Sequence, residues 1–185
     1  FKNYPPIMIK RYWKINDIKK IDKIDKIDKI DFDSTKKLLI GKLQNVIEDQ
    51  LISDVDVGSF LSSGVDSSII TTIASKISKK KIKTFSLGFE DNYYDESKDA
   101  KKIANYLGTD HNNIKINEND YIHTLENISN TYCEPFSDSS QLPTTTLCKF
   151  ASKSVKVCLS GDGADELFGG YNRYNHANKL KNLYS

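Results

Sequence analysis

Residues 55–68 read VDVGSFLSSGVDSS, and this stretch decides the fold. Val55 to Leu61 is a short apolar run that stops at Ser62-Ser63-Gly64, as a buried strand running into a turn would. Beyond Ser67 the spacing changes. Ile69, Ile70, Ile73, Ala74 and Ile77 recur at helical intervals, which predicts a helix over about 67–78. A buried strand passing through a loop of small residues into a helix is the first half of a βαβ unit.

The pattern then repeats. Lys83–Phe89 (KTFSLGF) reads as a second strand, and 95–107 as a helix closed by Gly108. Asn112–Ile116 reads as a third strand, followed by a helix over about 119–131. A further helix over about 143–152 is predicted to begin at Pro143, and Val155–Leu159 (VKVCL) to form the last strand. Upstream, Ser34 is the expected N-cap of a helix over about 35–51, with Leu38, Leu39, Leu43, Val46 and Ile47 at helical spacing. Strands alternating with helices predict an α/β fold with right-handed crossovers, an open doubly wound parallel sheet flanked by helices. Such sheets bind ligands at the carboxyl ends of their strands, where two polar, glycine-containing loops lie.

Composition excludes several classes. The 185 residues carry 27 basic and 25 acidic side chains, a balance that does not indicate a nucleic-acid surface. No apolar run approaches the ~18–20 residues of a membrane span. Cys133, Cys148 and Cys158 are an odd number without a CxxC pair, which predicts buried free thiols in a cytoplasmic protein rather than zinc ligands or disulfides. Residues 18–31 read IKKIDKIDKIDKID; a period of three builds neither a helical nor a strand face, so 18–33 is expected to be a low-complexity linker. It divides a lead-in segment, 1–17, from a domain over 34–185. Tyr12 and Trp13 read as anchors of an initial strand. Residue 1 is Phe, not Met, so the sequence is expected to be a piece of a longer chain.

The chemistry lies in the two loops. In Ser62-Ser63-Gly64-Val65-Asp66-Ser67-Ser68, small residues let the backbone approach an anion, and the helix N-terminus supplies N–H groups and a positive dipole end. This is a phosphate or pyrophosphate cradle without the Gly-Lys-Ser/Thr ending of a Walker A loop. Asp66 would repel a bare phosphate and makes sense with Mg2+ between them. Asp162, Asp165 and Glu166, in SGDGADELFGGY, place three carboxylates within five positions, at a cost in repulsion unless a cation is present. The spacing is not that of an EF-hand.

SFLSSGVDSS resembles the PP-loop of the ATP pyrophosphatase superfamily, and CLSGDGADELFGGYNRY is similar to the hallmark loop of the asparagine synthetase family. RYW at 11–13, TFSLGFED, YDESKDAKKIANYLGTDH and EPFSDSSQLPTTTL agree in order and spacing. The resemblance covers most of the chain outside the IDK tract. It implies an adenine nucleotide alpha-hydrolase-like fold and an ATP- and Mg2+-dependent amide ligase. In that chemistry the side-chain carboxylate of aspartate attacks the α-phosphorus of ATP, pyrophosphate leaves, and ammonia displaces AMP. The family's ammonia comes from glutamine through an N-terminal glutaminase domain, which nothing in this chain resembles. Carried over, Ser62, Gly64, Ser67 and Ser68 would hold pyrophosphate, and Asp66 and Asp165 the Mg2+. Leu61 and Leu87 would flank adenosine, and Ser160 and Gly161 would close over the nucleotide. Asp162 would act in adenylate formation, and Glu166 as a substrate or metal-shell carboxylate. Neither nucleic acid nor membrane is an implied partner, and a homodimer would form through regions outside this sequence.

The pattern departs from the family at Ser63, where many members have a second Gly, and at Asp162, often Glu in asparagine synthetases. An Asp there also occurs in paralogues acting on other carboxylates. The sequence also stops before the family's later basic residues, which leaves open a nucleotide-binding fragment without complete activity. A PP-loop tRNA-modifying enzyme would need a basic extension or catalytic cysteines. His111 is expected to pack or hydrogen-bond. Tyr171, Arg173 and Tyr174 could border the nucleotide or simply pack, and Glu134 and Asp138 could face substrate or cap the next helix.

Overall fold

The computed structural model describes residues 8–12, 14, 31–89, 95–134, 136–174 and 176. The chain forms two compact units, 1–40 and 41–185. In the first, residues 8–12 are irregular, and Tyr12 is fully exposed rather than anchoring a strand. Trp13 and 18–30 of the IDK tract lie outside the described residues.

Helix α1 spans Phe32–Gln50 and starts earlier than its sequence suggests. Asp31, not Ser34, is its cap: the Asp31 carboxylate accepts the Ser34 N–H at 3.1 Å, and the Asp31 carbonyl accepts the Thr35 N–H at 3.0 Å. A carboxylate accepts helix-start donors as well as a hydroxyl does, and Asp31 stands three residues further up the chain.

The second unit carries the sheet. Strands β1 (Val57–Phe60), β2 (Lys83–Phe89), β3 (Asp110–Ile116) and β4 (Val157–Leu159) run parallel in the order β3-β2-β1-β4. Helices α2 (Val65–Ile77) and α3 (Ser97–Leu107) connect the first three strands. Helices α4 (Glu118–Glu126) and α5 (Gln141–Ala151) lie between β3 and β4, and the short α6 (Ala164–Phe168) follows β4. The doubly wound parallel sheet is therefore as expected.

Alternation along the strands sends opposite faces to different helices. Ser59 hydrogen-bonds Thr71 of α2 at 2.8 Å, with both side chains buried. Its neighbour Phe60 packs instead with Phe85, Leu147, Phe150, Ala151 and Val155 on the α5 side, where Phe85 meets Phe150 edge-on. A second core joins Ile47 of α1 to Ile73 and Ala74 of α2, Ile82 and Leu159.

Boundaries moved where local signals compete. Helix α5 begins at Gln141, two residues before Pro143, because a first-turn position needs no N–H. The predicted 119–131 helix ends at Glu126, and a 3-10 turn covers Ile128–Asn130. Val155 is buried yet precedes the strand, which begins at Val157. Gly108 ends α3 at φ 68°, left-handed as a helix-closing glycine allows. The thiols correct another expectation: all three are free, but Cys133 and Cys148 are exposed and Cys158 half-buried.

Candidate functional site

Strand order decides where a site can lie. From β1 the chain winds outward to β2 and β3, then returns to place β4 on the other side of β1. Loops leaving β1 and β4 diverge there and open a crevice at their carboxyl ends. A cavity of about 430 Å³ occupies that position, a size suited to a small-molecule ligand.

Eleven of the twelve residues to which the resemblance assigns a ligand or catalytic role line it: Leu61, Ser62, Gly64, Asp66, Ser67, Leu87, Ser160, Gly161, Asp162, Asp165 and Glu166. Ser68 does not; its hydroxyl donates to the Gly64 carbonyl at 2.7 Å and braces the first turn of α2 from behind.

The first loop is held by its own serines. Ser62 and Ser67 hydroxyls are 2.9 Å apart, and the Ser67 Oγ accepts the Ser62 N–H at 3.1 Å. The Gly64 N–H donates to the Ser62 hydroxyl at 3.0 Å. Gly64 caps α2 with extended backbone and no side-chain hydrogen bond, so the helix start is left to an outside acceptor.

The second loop meets the first at Gly161. A Cβ there would stand 2.8 Å from the Ser67 nitrogen and 3.0 Å from the Asp66 carbonyl carbon, so only glycine lets the two loops close this far. Further on, Tyr171 donates its hydroxyl to Glu166 at 2.6 Å. That hydrogen bond, then the Glu166 backbone and the more distant Arg173, hold the Glu166 carboxyl below its usual range despite some desolvation. Arg173 itself stacks over the Tyr171 ring at 4.2 Å and leans towards Tyr174 at 5.7 Å. Tyr171 thus lines the cavity while Arg173 and Tyr174 pack behind it.

The cavity is acidic. Asp66, Glu96, Asp162, Asp165 and Glu166 line it, and no lysine or arginine is among its described walls. Among the described residues no three His, Cys, Asp or Glu side chains form a metal-holding group. That donor set does not suit a zinc or calcium cage, but it fits Mg2+, which takes most of its ligands from phosphate and water.

Other candidates fall outside the cavity. His111 bridges Thr84 (Nδ1 to Oγ1, 3.0 Å) and Ser86 (Nε2 to Oγ, 3.3 Å). Burial first, and Lys101 second, lower its pKa and favour the neutral ring. Asp138 accepts the Ser140 N–H and hydroxyl, both at 2.7 Å, and so shapes the turn into α5; Glu134 is exposed. Burial, then neighbouring Cys148, pushes the Cys158 thiol up to about 11, which makes it a poor nucleophile.

Sequence reasoning missed Phe60, Ser86, Phe89, Glu96, Ala100, Thr144 and Leu147 among the lining residues. Ser86 and Phe89 lie towards the carboxyl end of β2 and were accessible to the rule that selected Leu87. Thr144 and Leu147 arrive by the packing of α5 and leave no local signal.

This strand order, with a serine-glycine loop and an acidic loop at its switch point, defines an α/β domain of the PP-loop, adenine nucleotide alpha-hydrolase-like class. Solved structures share the fold. An NH3-dependent NAD synthetase from Campylobacter jejuni superposes with a TM-score of 0.51 at 17% identity, covering 74% of this chain and 60% of that one. An NMN synthetase from Francisella tularensis gives 0.51 at 22%, over 73% and 58%. The asparagine synthase family model matches residues 39–184. A putative glutamine-hydrolysing asparagine synthetase of Methanocaldococcus jannaschii is 38% identical over 163 residues, 86% of this chain and 30% of the relative. Asparagine synthetase 1 of Bacillus subtilis is 43% identical over 129 residues, 70% and 20%. The chain belongs to the asparagine synthase family, and it spans 30% and 20% of the lengths of these two relatives.

Proposed function

We propose that this chain is the adenylating part of an amide ligase of asparagine synthetase type. An oxygen of the aspartate side-chain carboxylate attacks the α-phosphorus of ATP; the bond to the β-phosphate breaks, and pyrophosphate leaves with its electron pair. Ammonia derived from glutamine then attacks the acyl carbon, loses a proton and expels AMP, leaving the amide. The observation that carries this reading is the convergence of the phosphate loop and the acidic loop on one cavity, in contact at Gly161.

Ser62, Gly64 and Ser67 hold the pyrophosphate end with the first N–H groups of α2, and Ser68 supports the loop from behind. Leu61 and Leu87 flank adenosine, and Ser160 and Gly161 close over it. Asp66 and Asp165 would hold Mg2+, which when bound supplies positive charge against the departing pyrophosphate. Asp162 serves adenylate formation, and Glu166, aimed by Tyr171, faces the incoming acid. The loops thereby orient the two reactants in line and stabilise the developing charge.

The domain is read as starting with α1 rather than at 34, since 32 and 33 are already helical, and it runs to 185 after a linker from 18 and a lead-in segment over 1–17. The setting is cytoplasmic, glutamine hydrolysis belongs to a glutaminase domain elsewhere in the protein, and a homodimer forms through regions outside this chain. No helix among the described residues is long and apolar enough to cross a membrane.

Exchange of labelled pyrophosphate into ATP by the full-length protein tests the assignment. Aspartate-dependent exchange is expected, and Asp66→Ala and Asp165→Ala should each abolish it. Exchange driven by another acid would move the assignment to a paralogue, and near-normal exchange in either variant would refute the metal role.

A further inference from the structure

Glu96 is the first turn's cap residue on α3, yet its side chain makes no hydrogen bond to that helix. The carboxylate reaches across the cavity mouth to the phosphate loop instead. Its Oε2 accepts the Ser63 hydroxyl at 2.8 Å and lies 3.4 Å from the Ser63 nitrogen, which donates to the same oxygen. The hydrogen bonds that Ser62, Gly64, Ser67 and Ser68 make with one another stay within residues 62–68. Ser63 is therefore where the loop tip is tied to a second element.

That element is itself firmly held. Asp95, next to Glu96, has a side chain only 1% exposed. It accepts the Ser97 N–H at 3.0 Å, and the Lys115 ammonium of β3 lies 3.8 Å from its second oxygen. Gly88 of β2 lies so close that a Cβ would stand 2.9 Å from both the Asp95 carboxylate and the Ser97 hydroxyl. The start of α3 is thus pinned to β2 and β3, and Glu96 projects from a fixed point.

We propose that Glu96 is a positioning residue for the phosphate loop, acting through Ser63. Resting on the nucleotide-site reading above, this changes the meaning of Ser63. A glycine there would give the loop more freedom but no donor hydroxyl; the serine exchanges that freedom for a tether. The carboxylate also takes up the Ser63 N–H, so the pyrophosphate is left with donors deeper in the loop and at the start of α2. Because the pair is exposed, its effect is modest: loss of the carboxylate weakens MgATP binding about fivefold, the upper range for a solvent-exposed pair, and loss of the hydroxyl alone by no more than that.

A double-mutant cycle in the full-length protein tests this, with MgATP dissociation constants measured by calorimetry and amide hydrogen exchange followed at residues 62–67. Glu96→Ala should weaken MgATP about fivefold, Ser63→Ala, which keeps the backbone N–H contact, by no more than that, and the double variant no more than Glu96→Ala, because that variant already removes both contacts. Glu96→Gln keeps an acceptor for the Ser63 hydroxyl and should stay within about twofold of wild type. Exchange at 62–67 should quicken in both alanine variants without nucleotide. Multiplying effects in the double variant, a glutamine variant as weak as the alanine one, or an unchanged affinity with only a lowered melting temperature would overturn the proposal. If the wild type binds no MgATP, the nucleotide reading falls instead, and unchanged exchange at 62–67 would still overturn the tether.

Discussion

Gly161→Ala puts a wedge between the two loops that make the site. The added Cβ would stand 2.8 Å from the Ser67 nitrogen and 3.0 Å from both the carbonyl carbon and Cβ of Asp66. Ordinary contacts between such atoms are about 3.5–4.0 Å, so the loops must part by roughly 0.5–1 Å. Two of the three obstructing atoms are backbone, at the start of a helix, and cannot swing aside as a side-chain tip would. Overpacking of this kind costs about 1–3 kcal/mol. For a domain of this size that lowers the melting temperature by about 2–4 °C per kcal/mol. The catalytic effect is larger than the stability effect, because a displacement near 1 Å at a positioned phosphate costs about a hundredfold in rate. Pyrophosphate exchange should therefore lose between about tenfold and a hundredfold in kcat/KM for ATP. The variant must remain folded by circular dichroism for the comparison to count. A folded Gly161→Ala protein with wild-type exchange kinetics would refute the claim that loop contact at Gly161 builds the working site.

Gly41, in α1, is the matching control, since a Cβ there meets no atom within 4 Å. Gly41→Ala should raise stability by about 0.5–1 kcal/mol through helix propensity alone, read as a higher urea midpoint with unchanged exchange activity. His111 makes a pH prediction. Its folded pKa lies below the ordinary 6.5, with burial the first cause. The unfolded chain therefore takes up the proton first: His111's contribution is complete above about 6.5 and is lost as pH falls from there through the lower folded value. Urea midpoints between pH 7.5 and 5 should fall more steeply in the wild type than in His111→Gln, and equal slopes would refute the assignment.

Local chemistry made much of this domain legible. Strand β2 was read as Lys83–Phe89 and is found there, because a run of apolar residues bounded by lysines on one side and charges on the other leaves few alternatives. The helix starts were harder. Asp31 and Ser34 are both competent caps, and only the backbone path chooses between them. Val155 separates burial from hydrogen bonding: its side chain fills the core with Phe85 and Ala151, but its backbone lies before the β4 ladder. The thiols show the limit of arguing from residue type, since Cys148 sits on an exposed part of α5 while its neighbour Leu147 packs inward. Glu96 had no local signature at all, because its partner is 33 residues away.

Net charge concealed more than any single element did. The chain is nearly neutral, with 27 basic and 25 acidic residues, yet five carboxylates and no described lysine or arginine line the cavity. Neutral overall, the protein is segregated by sign. A polyphosphate entering this cavity meets like charge from the side chains, so its attraction must come from backbone N–H groups at the start of α2 and from a cation carried with it. On the proposed reading, this wall composition calls for a nucleotide that arrives with its cation. It also yields a direct expectation: free ATP should bind far more weakly than MgATP, and neutralising Asp66 as Asn should narrow that difference by weakening MgATP while easing the repulsion of free ATP. If calorimetry gave free ATP and MgATP equal affinity for the wild-type protein, the acidic walls would have some other partner and the proposed roles of Asp66 and Asp165 would fall together.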